Sequence, residues 1–210
     1  MTPAAKAVDH LILGAADLNA AIDWLEKKSG VRAIVGGSHP GRGTRNALLA
    51  LSGRQYLEIL APDPAQRGAN SDLGQFTEPR ITGWAAATDN IDNVASRLKT
   101  AGVPSSVPRP GSRTRPDGRQ LKWTTIDAGI ELGAERLDPI PFFIQWDADS
   151  VHPSHDSPKG CELTSLEFEH PQADALRRAF GQIGIEAVVR SGAPKIIATL
   201  NTPRGRLTLV

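Results

Sequence analysis

An α+β protein made of repeated βαβββ modules is what this sequence predicts, and three observations lead there. Short segments with one fully apolar face, such as residues 8–13 and 54–60, alternate as strands do. Two further segments carry apolar residues at helical spacing. Each opens on an aspartate cap and closes on a glycine, Asp17 to Gly30 and Asp89 to Gly102, 13 residues apart in both cases. Each helix is then followed by three strand candidates. One such unit leaves a sheet face exposed. Two units joined edge to edge make a curved half-barrel with helices outside and a cleft inside.

In the first strand, residues 8–13, His10 and Ile12 share a face while Leu11 and Leu13 take the other. The helix at 18–28 presents Leu18, Ala21, Ile22 and Leu25 as one stripe. A short strand at 31–35, a glycine-rich loop at 36–43 and strands at 44–51 and 54–60 complete the first module. The second opens with a strand at 81–88 and a helix carrying Ile91, Val94, Ala95 and Leu98, capped by Asp89. Strands at 105–107, 121–127 and 141–146 follow. Between them, residues 109–119 are basic and proline-containing, which predicts a long exposed loop. A third copy fits the C-terminus by pattern rather than by residue identity: a strand at 163–169, a helix at 171–183 and strands at 185–190, 195–201 and 206–210. Linkers rich in Pro, Ser, Asp and Gly fall at 62–79 and 147–160. Residues 1–147 are thus expected to hold two paired modules (about 7–61 and 80–147), with a third module at 160–210 packed alongside.

Composition narrows the class. The formal net charge is +1, so nothing in it draws the chain to nucleic acid. The single cysteine, Cys161, rules out an intrachain disulfide framework and suits a reducing compartment. No apolar run approaches the ~20 residues needed to span a bilayer, and residues 1–7 lack the apolar core of a signal peptide. The expectation is a soluble, cytoplasmic protein without a membrane partner.

The candidate chemistry starts with two strands. Tyr56, Glu58 and Leu60 share a face of residues 54–60, as His10 and Ile12 do in the first strand. Placed in one sheet, His10 and Glu58 converge on the cleft. Three readings of that pair stay open. It holds a divalent ion, or it is a metal-free hydrogen-bonded pair in which burial raises the Glu58 pKa and suits it to general base chemistry, or it is structural only. The loop through Asn46 contains Gly36, Gly37, Gly41 and Gly43, and can offer backbone N–H groups to an anion beside Arg42 or Arg45. Its spacing matches neither a dinucleotide fingerprint nor a Walker loop. Trp84, Phe143 and Trp146 fall on central strands, either as pocket wall or as core, and Phe143 shares a face with Gln145.

Asp9-His10-Leu11, Asp17-Leu18, the loop at 36–46, Tyr56-Leu57-Glu58, residues 141–146 and His152-Pro153 together resemble the glyoxalase-like domain of the vicinal oxygen chelate superfamily. The resemblance implies paired βαβββ modules. In the members that are enzymes it also implies a divalent metal (Zn, Mn, Fe or Mg), held by the first and last strands of the two modules. Carried over, His10 and Glu58 are the first module's ligands and Gln145 the second's. The first strand of the second module offers only Thr82 or Gly83, so the set is incomplete. The implied function is a metal-dependent lyase, isomerase or dioxygenase acting on a small organic substrate, with Glu58 catalytic. His39, Arg42, Asn46, Tyr56, Trp84, Phe143 and Trp146 would contact that substrate. The alternative is a metal-free small-molecule binding or sequestering protein of the bleomycin-resistance type. A homodimer formed over the open edge of the third module is a further expectation.

Overall fold

The computed structural model describes residues 1–66, 72–115, 117–130 and 139–210. Residues 67–71 of the expected first linker, Pro116 of the expected basic loop and residues 131–138 of the second module lie outside these.

A two-residue strand β1 (Thr2–Pro3) and a single helical turn α1 (Ala4–Ala7) lead into the first module. That module runs β2 (Val8–Gly14), α2 (Leu18–Ser29), β3 (Ile34–His39), β4 (Thr44–Leu51) and β5 (Gln55–Pro62). The second runs β6 (Arg80–Ala87), α3 (Ile91–Thr100), β7 (Arg109–Thr114), β8 (Gln120–Asp127) and β9 (Phe142–Trp146). Their strands form one eight-stranded sheet in the order β3-β4-β5-β2-β6-β9-β8-β7. Each half repeats the other in mirror order, and the two first strands, β2 and β6, pair antiparallel at the centre. Within each half the first and last strands pair in parallel.

The helices form for the reasons the sequence offers. Asp17 accepts from the Ala20 N–H at 2.8 Å, Leu18, Ala21, Ile22 and Leu25 are buried, and Gly30 ends α2 at φ 81°. Asn90, not Asp89, caps α3 by accepting from the Asn93 N–H at 2.8 Å. Three other expectations change. Residues 36–39 belong to β3, so the glycine-rich loop is shorter than expected. Residues 109–114 are not a loop: they pair antiparallel with β8 as β7. The expected strand at 105–107 is reduced to an isolated bridge between Ser105 and Ala128.

The eight-stranded sheet curls until its edges meet. The Arg113 guanidinium of β7 donates to the Gly36 carbonyl of β3, which nearly closes the barrel.

A short helix α4 (Pro153–Asp156) precedes the C-terminal unit, β10 (Glu162–Glu169), α5 (Ala173–Gln182), β11 (Ile185–Glu186), β12 (Val188–Arg190), β13 (Lys195–Thr202) and β14 (Gly205–Leu209). Four strands follow its helix where three were expected: β11 pairs with β1, and the sheet order of the others is β12-β10-β13-β14, unlike that of the first two modules. Phe168 and Phe180 pack on Trp84 of β6, with ring centroids 6.0 and 6.5 Å away. This unit therefore covers the outer face of the central strands, where Leu11 and Leu13 are fully buried. No helix among the described residues is long and apolar enough to cross a membrane.

Candidate functional site

The barrel encloses a cavity of about 320 Å³. Alternation along the strands builds its wall, since every second residue points inward. His10 and Ile12 come from β2, Thr44 and Asn46 from β4, and Tyr56, Glu58 and Leu60 from β5. The second module supplies Arg109 and Arg113 from β7, Trp123, Thr125 and Asp127 from β8, and Phe142, Ile144 and Trp146 from β9. His39 and Arg42 stand at the rim. The central strand β6 sets Ala85 and Gly83 opposite His10 and Ile12, so it adds no polar side chain there.

His10 and Glu58 meet as the strand pattern predicts. Their strands pair in parallel with His10 beside Tyr56 and Ile12 beside Glu58. That register leaves His10 Nε2 3.7 Å from Glu58 Oε2, and Tyr56 stacks on the imidazole at 4.7 Å. His39 Nε2 lies 3.7 Å from the other carboxylate oxygen. The Asn46 amide donates to that oxygen, Glu58 Oε1, at 2.5 Å, and its own oxygen lies 3.4 Å from the Arg113 guanidinium.

Burial alone would push the Glu58 carboxyl up. Electrostatic interaction with the adjacent His39 and His10 rings, the Asn46 hydrogen bond and the Arg113 charge outweigh it and hold the group below its usual range. That reverses the expected direction, and Glu58 is an anion at neutral pH. Burial holds the His39 imidazole below its usual value, so that ring is neutral there. Burial also pushes the Tyr56 phenol well up, which keeps it protonated.

Behind His10 lies a residue that strand alternation alone does not find. Val8 and His10 pair with the adjacent residues Ala86 and Ala85, so Asp9 is the extra residue of a bulge. Its buried carboxylate meets His10 Nδ1 at 2.8 Å and His152 Nε2 at 3.1 Å, and accepts from Trp146 Nε1 at 3.0 Å. Burial opposes its ionisation, but the bonds and charges of the two histidines prevail and the pKa falls to about 2. The ionised Asp9 fixes the proton of His10 on Nδ1 and leaves Nε2 to the cavity. The loop that carries His152 folds onto this cluster rather than lying free.

Three expected site residues lie elsewhere. Gln145 points out of the barrel, and its side-chain oxygen accepts from the Ile91 N–H at 2.7 Å at the start of α3. Phe143 shares that outward face and is core. Trp84 is buried between β6 and the C-terminal unit, where its indole N–H donates to the Pro139 carbonyl at 2.9 Å. The inward positions of β9 are Phe142, Ile144 and Trp146, so Phe143 and Gln145 are one residue out of step while Trp146 faces in. A one-residue slip exchanges every side chain between faces. His39, Arg42, Asn46, Tyr56 and Trp146 do border the cavity.

The divalent metal implied by the resemblance does not find its donors. With Gln145 outside, His10 and Glu58 remain. A further ring nitrogen, His39 Nε2, lies 3.3 Å from the Asn46 amide that also binds Glu58. Among the described residues, no three His, Cys, Asp or Glu side chains come together as a metal would need.

A solved structure shares this architecture. A crystallised hypothetical protein from Staphylococcus aureus superposes with a TM-score of 0.66 at 16% identity, covering 96% of this chain and 84% of that one. A methylmalonyl-CoA epimerase from Mycobacterium tuberculosis gives 0.45 at 20% identity, over 70% of this chain and 90% of the other. A variant of the Streptomyces coelicolor methylmalonyl-CoA epimerase, in complex with 2-nitronate-propionyl-CoA, gives 0.47 at 18% identity, over 69% and 97%. No curated protein sequence matches the chain. The sequence model of the glyoxalase-like domain does match, over residues 8–184, and on that span the chain belongs to the glyoxalase-like domain family of the vicinal oxygen chelate superfamily.

Proposed function

We propose that the barrel interior binds a small organic molecule and removes a proton from a carbon next to its carbonyl or carboxyl group. One observation supports this above the others: Glu58, an anion sealed in the cavity wall, faces His10 Nε2 at 3.7 Å while Asp9 holds the far side of that ring. Glu58 Oε2 takes the proton as the C–H bond breaks, and the electron pair stays on the substrate as an enolate. His10 Nε2 then shares the proton, and the resulting positive ring lies between two carboxylates. No step needs a metal. The aromatic wall of Tyr56, Phe142 and Trp146 limits water at the reacting carbon.

The test is deuterium exchange at the acidic carbon of small carbonyl and carboxyl compounds, followed by proton NMR in D2O. Glu58→Gln keeps the shape and removes the base, and exchange should fall by about 100-fold or more. Exchange that is unchanged in that variant would exclude Glu58 as the base.

A second reading is binding without turnover, and the low pKa of Glu58 supports it. A carboxylate so well stabilised is a good acceptor for a ligand N–H or O–H and a weak base. Tight binding of a compound that emerges unaltered and unexchanged would favour that reading.

A further inference from the structure

Arg113 stands apart from the other arginines of its segment. Arg109 pairs with Asp127, Arg115 with Asp156 at 2.9 Å, and Arg119 with Asp117 and Asp156 at 2.7 and 2.9 Å. All three are exposed or half-buried. Arg113 is only 4% exposed and lines the cavity. Its Nη1 donates to the Gly36 carbonyl and lies 3.4 Å from Asn46 Oδ1, and no carboxylate pairs with it among the described residues. A guanidinium carries five N–H donors in a planar fork that matches a carboxylate. Among the described residues its printed hydrogen bonds all use Nη1, and the residue lines the cavity. Glu58 acts on it through space, across the Asn46 carboxamide and without a direct ion pair, and a buried cation so placed gains from an anion in direct contact.

We propose that the ligand of this cavity is a small monocarboxylate with a planar apolar body, its carboxylate on Arg113 and its body against Tyr56, Phe142 and Trp146. The proposal rests on the barrel interior being the binding site. Three features set the class. Arg113 supplies the positive pole. Asn46 bridges it to Glu58, which supplies a negative pole one carboxamide away, so a second carboxylate on the ligand would meet a like charge. The cavity of about 320 Å³ is at the lower end of the ~300–1,000 Å³ usual for ligand sites, which suits a small acid and not a nucleotide.

Calorimetric titration of the full chain with phenylacetate, phenylacetamide and phenylmalonate separates these features. Phenylacetate should bind about tenfold or more tighter than either of the others, the gain expected of one bidentate charge-assisted contact. Arg113→Gln should abolish the preference for the acid over the amide, and Arg113→Lys should keep part of it. If Arg113→Gln does not fold, the wild-type comparison of acid, amide and diacid decides alone. Equal or tighter binding of the amide or the diacid overturns the proposal. So does a preference that survives Arg113→Gln, or no binding of phenylacetate at millimolar concentration. Deuterium exchange on the same compounds keeps the two readings apart. An acid that binds through Arg113 but never exchanges removes the proton-transfer chemistry and leaves the carboxylate assignment. An amide that binds as well and exchanges through Glu58 does the reverse.

Discussion

Asp9 gathers three partners, His10, His152 and the Trp146 indole, at 2.8, 3.1 and 3.0 Å. Its pKa falls from an ordinary 3.8 to about 2, and a carboxyl lowered on folding stabilises the fold above its unfolded pKa. That contribution, about 2 kcal/mol at neutral pH, is lost as the pH falls from ~4 to ~2. Asp9→Asn should therefore be markedly less stable than the wild type in urea at pH 7, with the gap narrowing near pH 3. A gap that widens on acidification would contradict the ionised state. Adding zinc, manganese or a chelator should leave the melting temperature unmoved, because a metal that bound the folded state would raise it. A clear rise with any one ion would restore the metal reading. The sequence made His10 and Glu58 legible because both obey strand alternation. Asp9 breaks alternation through a bulge, and Gln145 and Phe143 were misplaced by one residue of register. The direction of the Glu58 shift depends on His39 and Arg113, whose approach no local pattern encodes.

Among the elements, β7 is the one whose composition misleads. Arginine, proline and glycine suggest a solvated loop, yet the strand completes the barrel because Arg113 reaches across to β3. Gly36 permits that approach. A Cβ there would lie 2.4 Å from Asn46 Oδ1 and 2.8 Å from the Arg113 guanidinium. Gly36→Ala should displace both groups, at a cost of about 1–3 kcal/mol in stability, and should weaken phenylacetate binding with it. A variant of wild-type stability and affinity would show that this seam is slack. Gln145 makes the complementary case. Its role is at the start of α3, so Gln145→Ala should cost about 1 kcal/mol, as the loss of a helix cap does, and leave ligand affinity unchanged. Helices α2 and α3 were readable because caps and stripes are local signals. The β7 pairing is long-range and polar, so it left no apolar trace to read.

At the scale of the whole molecule, the first two modules share one sheet by a pseudo-symmetric rule, while the C-terminal unit uses its own strand order and leans on them. A strand, a helix and a run of strands recur three times, with three strands after the helix in the first two units and four in the last. The strand order does not follow from succession, because pairing partners are chosen by packing. The unit is joined by more than a linker. Ile81 of β6 donates to the Val210 carbonyl at 3.0 Å, and Arg204 donates to the Lys27 carbonyl of α2 at 2.6 Å. Phe168 and Phe180, 4.7 Å apart, close over Trp84, and all three are essentially fully buried in the same apolar cluster that contains Leu11 and Leu13. Without that cover the outer face of β2 and β6 would be exposed to water. The barrel and the C-terminal unit should accordingly unfold together. Phe168→Ala, which empties the centre of the junction, should lower stability by about 3–5 kcal/mol. It should do so equally by tryptophan fluorescence, which reports Trp24, Trp84, Trp123 and Trp146, all in the first two modules, and by far-ultraviolet circular dichroism, which reports both sheets. Two separated transitions, with the fluorescence change keeping its wild-type midpoint, would mean that the barrel holds itself and that the C-terminal unit is an independent passenger.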